Sequence, residues 1–475
     1  MPSNIAKSSL KIFGARILGS GISFLAVIVF SRELGAGPLG VYYPFIALLG
    51  LLSILANFGL RTATEKRISE GDDVEVFLGS AIILKSALLF LVVLAVLPFR
   101  GYINQYIGEE AVALFILALL AKEMSELSLF VLRGELRTDE TALVESVYPV
   151  CWLSIGIILY MNNFGVKSLI IAHICGLFIM GIIGWKKVSL SPQWPDVEHI
   201  KSILDYGKYS VISAVGGYFY SWLDVIILTL FVILNFGISR QDIGAYENAW
   251  RLTMITMFLS QSIATTIFPQ FSQWDSEDTI EKVESVIPTV IFPALLPVIP
   301  GFVGILVLSE DILEILFGTE FTVAAAALII LAAEKILQSV HVVLGRSLQA
   351  INYPDLAAYA TVVSICINLI LNIILIWYLG IVGAAIATTV SFAANTLLHM
   401  RFLSRFIDIR FPISKISWSV ISSIIMGVII YQYKVSYNIS NIVHLLAIVV
   451  VGGIIYTLLL LLYTPIRISF KKKIM

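Results

Sequence analysis

A chain that repeatedly offers stretches of about 20 apolar residues has few folds open to it. A helix of that length crosses about 30 Å of hydrocarbon, and within lipid every backbone polar group must be satisfied inside the chain. Fourteen such stretches follow one another at 12–30, 41–60, 77–97, 111–132, 143–160, 168–185, 209–232, 245–268, 286–308, 323–345, 357–379, 382–400, 416–433 and 442–463. They are spans 1 to 14. The connection at 380–383 is so short that spans 11 and 12 read almost as one. Hydrophobic residues make up 59% of the 475 and charged residues 13%, against about 45–50% and 25% in soluble proteins. A chain this apolar cannot cover its own surface in water. The fold class is an all-α polytopic membrane protein. Span 1 feeds straight into another span, so it reads as a membrane helix and not as a cleavable signal peptide.

Orientation follows from the cations, because Lys and Arg resist translocation. With the N-terminus inside, 22 of the 31 Lys and Arg fall in inner segments, including Lys7, Lys11, Arg16, Arg61 and the tail residues Lys471, Lys472 and Lys473. Only 5 fall outside: Arg32, Arg100, Lys167, Arg240 and Lys434. Both termini are therefore expected in the cytoplasm; the plasma (inner) membrane of a prokaryote is the expected location. The longest break, 186–208, is too short for a folded domain, so no extramembrane module carries chemistry. A net charge of −1 excludes a generally basic nucleic-acid binder.

Transporters are often built from internal repeats. Gly40-Val41-Tyr42 is echoed by Gly244-Ala245-Tyr246 at an offset of 204, Leu132 and Leu136 by Leu344 and Leu348 at 212, and Phe164-Gly165-Val166 by Leu379-Gly380-Ile381 at 215. The order and slowly growing offset point to two six-helix lobes. The expected organisation is an N-terminal lobe at 1–185, a cytoplasmic linker at 186–208 with Pro192 and Pro195, a C-terminal lobe at 209–402, and two additional helices with a basic tail at 403–475.

A charge at the bilayer centre costs about 2.5–3.5 kcal/mol on insertion scales. Charged residues within spans include Lys85, Lys122, Glu123, Glu126, Asp224, Glu247, Arg251, Glu334 and Lys335. They must face one another or a wet cavity. Residues at i, i+3 and i+4 share a helix face, so Lys122 can pair with Glu126 and Glu247 with Arg251, while Glu334, Gln338 and His341 form one polar stripe. Pairs such as Lys122/Glu126 and Glu334/Lys335 also serve as plain ties between helices. Arg251 and Asp224 are the stronger functional candidates, read as facing elements at the start of the second lobe. Arg16 has two readings: it snorkels to the headgroups, or it points a cation into a central cavity. His173 and His399 read as packing residues.

Span 9 contains Pro288, Pro293, Pro297 and Pro300, and interior prolines remove backbone hydrogen bonds and kink helices. Gly14, Gly19 and Gly21 beside Ser20 and Ser23 permit close approach or bending in span 1. Such helices suit a body that rocks between two states. Cys151, Cys175 and Cys366 fall inside apolar runs and are expected as buried structural thiols. No phosphate-cradling loop, paired metal-binding histidines or nucleophile elbow occurs. No cofactor and no metal are expected.

Arg32-Glu33-Leu34-Gly35, Gly40-Val41-Tyr42 and Asn57-Phe58-Gly59-Leu60 resemble the opening signatures of the polysaccharide transporter family. So do Asp224 with the apolar run after it, Ile243-Gly244-Ala245-Tyr246, Leu316-Phe317-Gly318 and Gly380-Ile381-Val382-Gly383-Ala384-Ala385. The family belongs to the multidrug, oligosaccharidyl-lipid and polysaccharide exporter superfamily. The resemblance runs over nearly the whole chain. It implies a flippase for isoprenoid-pyrophosphate-linked oligosaccharides that works by alternating access, with O-antigen, capsule, teichuronic-type and archaeal glycans all open as cargo. The chain is also similar to lipid II flippases in its fourteen spans and its cations in spans 1 and 8. That similarity suggests that Arg16 and Arg251 meet the lipid pyrophosphate. Span 2 departs from that pattern, because Arg61 lies at its inner end.

The mechanism expected from this resemblance has Arg16, Arg251 and Lys122 hold the headgroup, with Asp224, Glu247, Glu126, Glu334 and Lys335 as charge partners or ion-coupling groups. Partners are the lipid-linked oligosaccharide and the glycan polymerase or glycosyltransferases of the same pathway, with no nucleic acid. The main alternative is a cation-coupled antiporter of the same superfamily; its usual acidic residue in span 1 is replaced here by Arg16. A membrane glycan polymerase or acyltransferase would need a sizeable loop with catalytic residues, and the outer loops are too short. The protein is not expected to be an enzyme.

Overall fold

The computed structural model describes residues 2–277 and 279–468. Lys471, Lys472 and Lys473 of the basic tail and the side chains of Lys7 and Lys11 lie outside the described residues. Among the described residues all regular structure is helical: α1 (Pro2–Leu34), α2 (Ala36–Asn57), α3 (Leu60–Glu70), α4 (Val74–Val96), α5 (Arg100–Ile107), α6 (Val112–Gly134), α7 (Thr138–Glu145), α8 (Val147–Met161), α9 (Lys167–Lys187), α10 (Val197–Ile233), α11 (Arg240–Met254), α12 (Phe258–Ser276), α13 (Ile280–Leu295), α14 (Val298–Phe317), α15 (Ala325–Ala350), α16 (Pro354–Leu403), α17 (Ile413–Ser436) and α18 (Ile442–Leu461).

Twelve stretches of the described chain are long and apolar enough to cross a membrane. Two features bring this into line with fourteen spans. The first is α16, whose 50 residues turn at Gly380 with φ 58° and ψ −138°, so that spans 11 and 12 are its two halves. Only glycine adopts that conformation without strain. A Cβ on Gly383 would then fall on the Leu375 carbonyl. Asn368 donates to Thr388 Oγ1 at 3.3 Å and to Ser391 Oγ at 3.2 Å, tying the halves together. The second is α6, which has the length of a span but carries Lys122, Glu123 and Glu126 in its middle.

Helix breaks follow local chemistry. Span 2 stops where Phe58 and Gly59 both take left-handed backbone angles, after which α3 begins. Span 9 is interrupted at Leu296 and Pro297, between α13 and α14, as its prolines predict. Cys151 and Cys175 are half-buried and Cys366 is exposed, all as free thiols. The expectation of three buried thiols is corrected: in an all-apolar run, sequence does not separate the face turned to lipid from the face turned to the protein.

Backbone packing divides the chain into compact units at 1–244 and 245–475. In the first, α9 packs on α6 and α8, α3 on α6, and α10 on α2, α3 and α4. In the second, α15 packs on α12, α14 and α16, and α17 on α14 and α18. The division falls after α10, beyond the 186–208 stretch read as the linker. The reason is that α10 is one helix from 197 to 233. Its Ile203 packs with Leu60, Ala63 and Ala81, and span 7 goes with it.

The stretch before α10 is strapped to the first unit. Arg137 donates to Ser189 Oγ at 2.8 Å and to the Lys187 carbonyl at 2.5 Å. Glu135 accepts from the Ser189 and Leu190 backbone N–H groups at 2.8 and 3.2 Å. Gln193 N–H donates to the Glu75 carbonyl at 3.0 Å, and a Cβ on Gly79 would strike the Gln193 carbonyl. Asp196 caps α10 by accepting from the His199 N–H at 2.9 Å. Its carboxylate, joined by Asp73 at 3.4 Å from Nε2, also raises the His199 pKa above 6.5.

The first of the repeated motifs has a direct packing role in the first unit. A Cβ on Gly40 would fall on the Arg240 carbonyl, and a Cβ on Gly244 on the Ala36 carbonyl. Ala36 and Arg240 are separated by the same 204 positions as Gly40 and Gly244, so the contact is reciprocal. Arg240 completes it by donating to the Gln105 and Tyr106 carbonyls at 3.0 and 2.8 Å, the orphan acceptors at the end of α5.

Two outcomes follow from this packing. Gly244→Val should destabilise the protein by about 1–3 kcal/mol, the usual cost of overpacking, read as a lower melting temperature in detergent. The raised His199 pKa contributes stability that is complete below about pH 6.5 and fades as pH rises through the folded value. Protection of the 188–200 amides, taken relative to their intrinsic exchange rates at each pH, should therefore fall across that window in the native chain and stay level in His199→Gln.

Candidate functional site

In the first unit, four helices deliver polar groups to one place, three of the helices bringing charge. The end of α2 supplies Ser53, the Ala56 carbonyl and Asn57. The left-handed turn at Phe58 and Gly59 redirects the chain so that Arg61, in the first turn of α3, points back at them. α4 supplies Lys85, and α6 supplies Lys122, Glu123 and Glu126.

Lys85 and Glu123 form the inner part, both with side chains 0% exposed. Lys85 Nζ donates to Glu123 Oε2 at 2.7 Å, to Asn57 Oδ1 at 3.0 Å and to the Ala56 carbonyl at 3.4 Å. All three ammonium protons thus have acceptors. Glu123 Oε1 accepts from Arg61 Nη2 at 2.5 Å and from the Ser53 hydroxyl. Arg61, 12% exposed, also donates to Ser53 Oγ at 2.9 Å and pairs through Nη1 with Glu126. Glu126 in turn accepts from Lys122 Nζ at 2.5 Å, these two being 21% and 23% exposed. Three cations therefore meet two carboxylates. Exposure rises in steps from Lys85 outward to Lys122.

The expected Lys122/Glu126 pair is formed, but it is the outer edge of a larger cluster. Helical spacing does not single out Arg61, and it shows Lys85 and Glu123 only as misplaced charges. One signal was available: Asn57 and Arg61 are four residues apart across the turn, and Asn57 Oδ1 accepts the Arg61 backbone N–H at 3.2 Å. The placement of Arg61 at an inner span end described its sequence position; its guanidinium reaches Glu123 because the chain turns at Gly59.

The second unit holds a separate set. Glu247, almost wholly buried, pairs with Arg251 at 2.9 Å on α11, as the i, i+4 spacing predicts. Glu334 and Lys335 pair at 2.6 Å, both buried on α15, and Lys335 Nζ lies 5.3 Å from the centre of the Trp250 ring, a cation–π distance. Further along the polar stripe, His341 meets the edge of His399 at 4.6 Å, and His399 Nδ1 donates to the Asn395 carbonyl at 2.9 Å. Asp224 sits half-buried on α10 in the first unit. Asp224 thus lies in the first compact unit and Arg251 in the second. Arg16 is exposed on α1. His173 is held by the hydroxyls of Tyr148 at 2.6 Å and Tyr42 at 3.2 Å.

Comparison with known proteins places this architecture. Residues 29–326 match the family described as "Polysaccharide biosynthesis protein", and residues 228–452 match "Lipid II flippase MurJ". The chain is 47% identical over 464 residues to "Probable low-salt glycan biosynthesis flippase Agl15" of Haloferax volcanii, covering 98% of this chain and 97% of that one. Its fold is similar to that of the lipid II flippase MurJ in an inward closed conformation, with TM-score 0.81 at 18% identity over 98% of this chain and 100% of that one. It is also similar to an inward-facing multidrug resistance MATE family transporter, with TM-score 0.68 at 18% identity over 81% and 95%.

The inner pair yields a stability test. Removing one partner of a buried ion pair costs about 3–5 kcal/mol, because the other charge is left uncompensated, whereas replacing both with apolar groups is often close to neutral. Lys85→Met should lower the melting temperature in detergent sharply. The double variant Lys85→Met/Glu123→Leu should recover part of the loss, with Arg61 still lacking its inner partner.

Proposed function

We propose, from the premise that the chain belongs to the polysaccharide biosynthesis protein family, that it is a flippase carrying an isoprenoid-pyrophosphate-linked oligosaccharide from the cytoplasmic to the outer leaflet. The cargo is a glycan precursor, in line with the Haloferax relative's name as a probable glycan biosynthesis flippase. The observation that carries this reading is the cation surplus of the cluster on α2, α3, α4 and α6, where, among the described residues, Arg61, Lys85 and Lys122 pair with the two carboxylates Glu123 and Glu126. An anionic headgroup crossing a low-dielectric region needs fixed positive charge, and Arg offers a planar fork suited to phosphate oxygens.

In this reading Arg61 and Lys122 hold the pyrophosphate in the first unit, and Arg251 holds it in the second. Arg16, exposed on α1, meets it on entry. Asp224, Glu247, Glu334 and Lys335 set the local charge balance or take up a coupling ion. Alternating access moves the headgroup while the isoprenoid tail stays in lipid. No covalent change is made to the cargo, so the protein acts as a transporter and not as an enzyme. The glycosyltransferases that build the precursor and the polymerase or transferase that consumes it are its pathway partners. The uneven spread of Lys and Arg supports cytoplasmic termini in the plasma membrane.

Arg251→Ala and Arg61→Ala are the tests. Removing one member of a buried hydrogen-bonded charge pair costs about 2–5 kcal/mol of binding. Measured per molecule of protein in the membrane, each variant should lose most surface glycan and accumulate the lipid-linked precursor. Normal surface glycan in both would overturn the assignment.

A further inference from the structure

The two carboxylates of the cluster differ in a way that the headgroup role alone does not require. Glu123 is fully buried and satisfied from three sides, by Lys85, Arg61 and Ser53. Glu126 sits at the half-buried outer edge, one oxygen on Lys122 Nζ at 2.5 Å and the other on Arg61 Nη1. One anionic group bridging a guanidinium and an ammonium through two oxygens is also the arrangement by which a phosphate binds such a pair. Glu126 thus stands where the headgroup's oxygens would go. The two cannot hold the same donors together, because a carboxylate beside a phosphate places like charges in contact in a low-dielectric setting.

We propose that Glu126 is a built-in placeholder. Its carboxylate occupies Arg61 and Lys122 in the empty site and gives way to a phosphate of the headgroup. It reclaims both cations when the headgroup leaves. Glu123 has no such freedom, since leaving would strand Lys85 without its counter-charge inside the protein. The inner carboxylate positions Arg61, and the outer one competes for it. The consequence is a ceiling on affinity: a site whose cations are never bare binds the headgroup only by exchange and releases it more readily.

This inference rests on the reading of Arg61 and Lys122 as headgroup ligands, and the test separates the two. The probe is inorganic pyrophosphate, titrated calorimetrically into the full-length protein in detergent at fixed ionic strength, with size-exclusion profiles confirming that each variant is folded. Native protein should bind weakly. Glu126→Gln, which keeps shape but drops the charge, should bind about tenfold more tightly, as expected when a competing ion pair is removed. Glu126→Asp, with a shorter reach to the same cations, should fall between them. Arg61→Gln should lose binding. Pyrophosphate affinity that is unchanged or weaker in Glu126→Gln, with Arg61→Gln still impaired, would overturn the placeholder while leaving the headgroup site intact. Binding unaffected by Arg61→Gln, or undetectable in native protein and Glu126→Gln alike, would overturn the site itself.

Discussion

A charge taken out of water must find its opposite inside the same low-dielectric interior, and in this chain that requirement organises the first unit. Lys85 and Glu123 are both sealed from solvent. Each isolated would carry a desolvation penalty of several kcal/mol. Paired, and supplemented by Asn57, Ser53 and the Ala56 carbonyl, they join α2, α4 and α6 at one point. Arg61 reaches the same carboxylate only because the chain reverses at Phe58 and Gly59. The position of α3, and through it the packing of α10, therefore depends on a buried ion pair.

Close backbone approach supplies the second organising element. Where Gly40 meets Arg240 and Gly244 meets Ala36, side chains are absent and carbonyls take their place. Lipid provides little hydrophobic drive between helices, so association relies on van der Waals contact of this kind. The same logic holds where Gly79 admits the Gln193 carbonyl and Gly383 admits that of Leu375. These contacts set where the strap before α10 runs and how the two halves of α16 turn back on each other.

Much of this was legible in the chain itself, and the gaps have a consistent cause. Spans 11 and 12 are countable as two because their combined apolar length exceeds one crossing, although the turn between them at Gly380 shows only in the structure; α6 is visible despite three central charges because its flanks are apolar. The pairs Lys122/Glu126 and Glu247/Arg251 could be drawn from helical spacing alone. The partner of Glu123 could not, since Lys85 lies 38 positions away on another helix. Cys366 was misjudged for a related reason: an apolar run looks the same whether it faces protein or lipid.

The amino-acid order determined the solvent, the number of spans, the uneven distribution of cations and every contact that depends on the 3.6-residue turn, because these are properties of one segment at a time. Tertiary structure decided which of the misplaced charges meet, which carboxylate is sealed and which stands at an edge, and where the chain divides into compact units. Those outcomes depend on helices brought together from distant parts of the chain. A buried charge is satisfied by whichever neighbour packing supplies, and no local pattern specifies that neighbour.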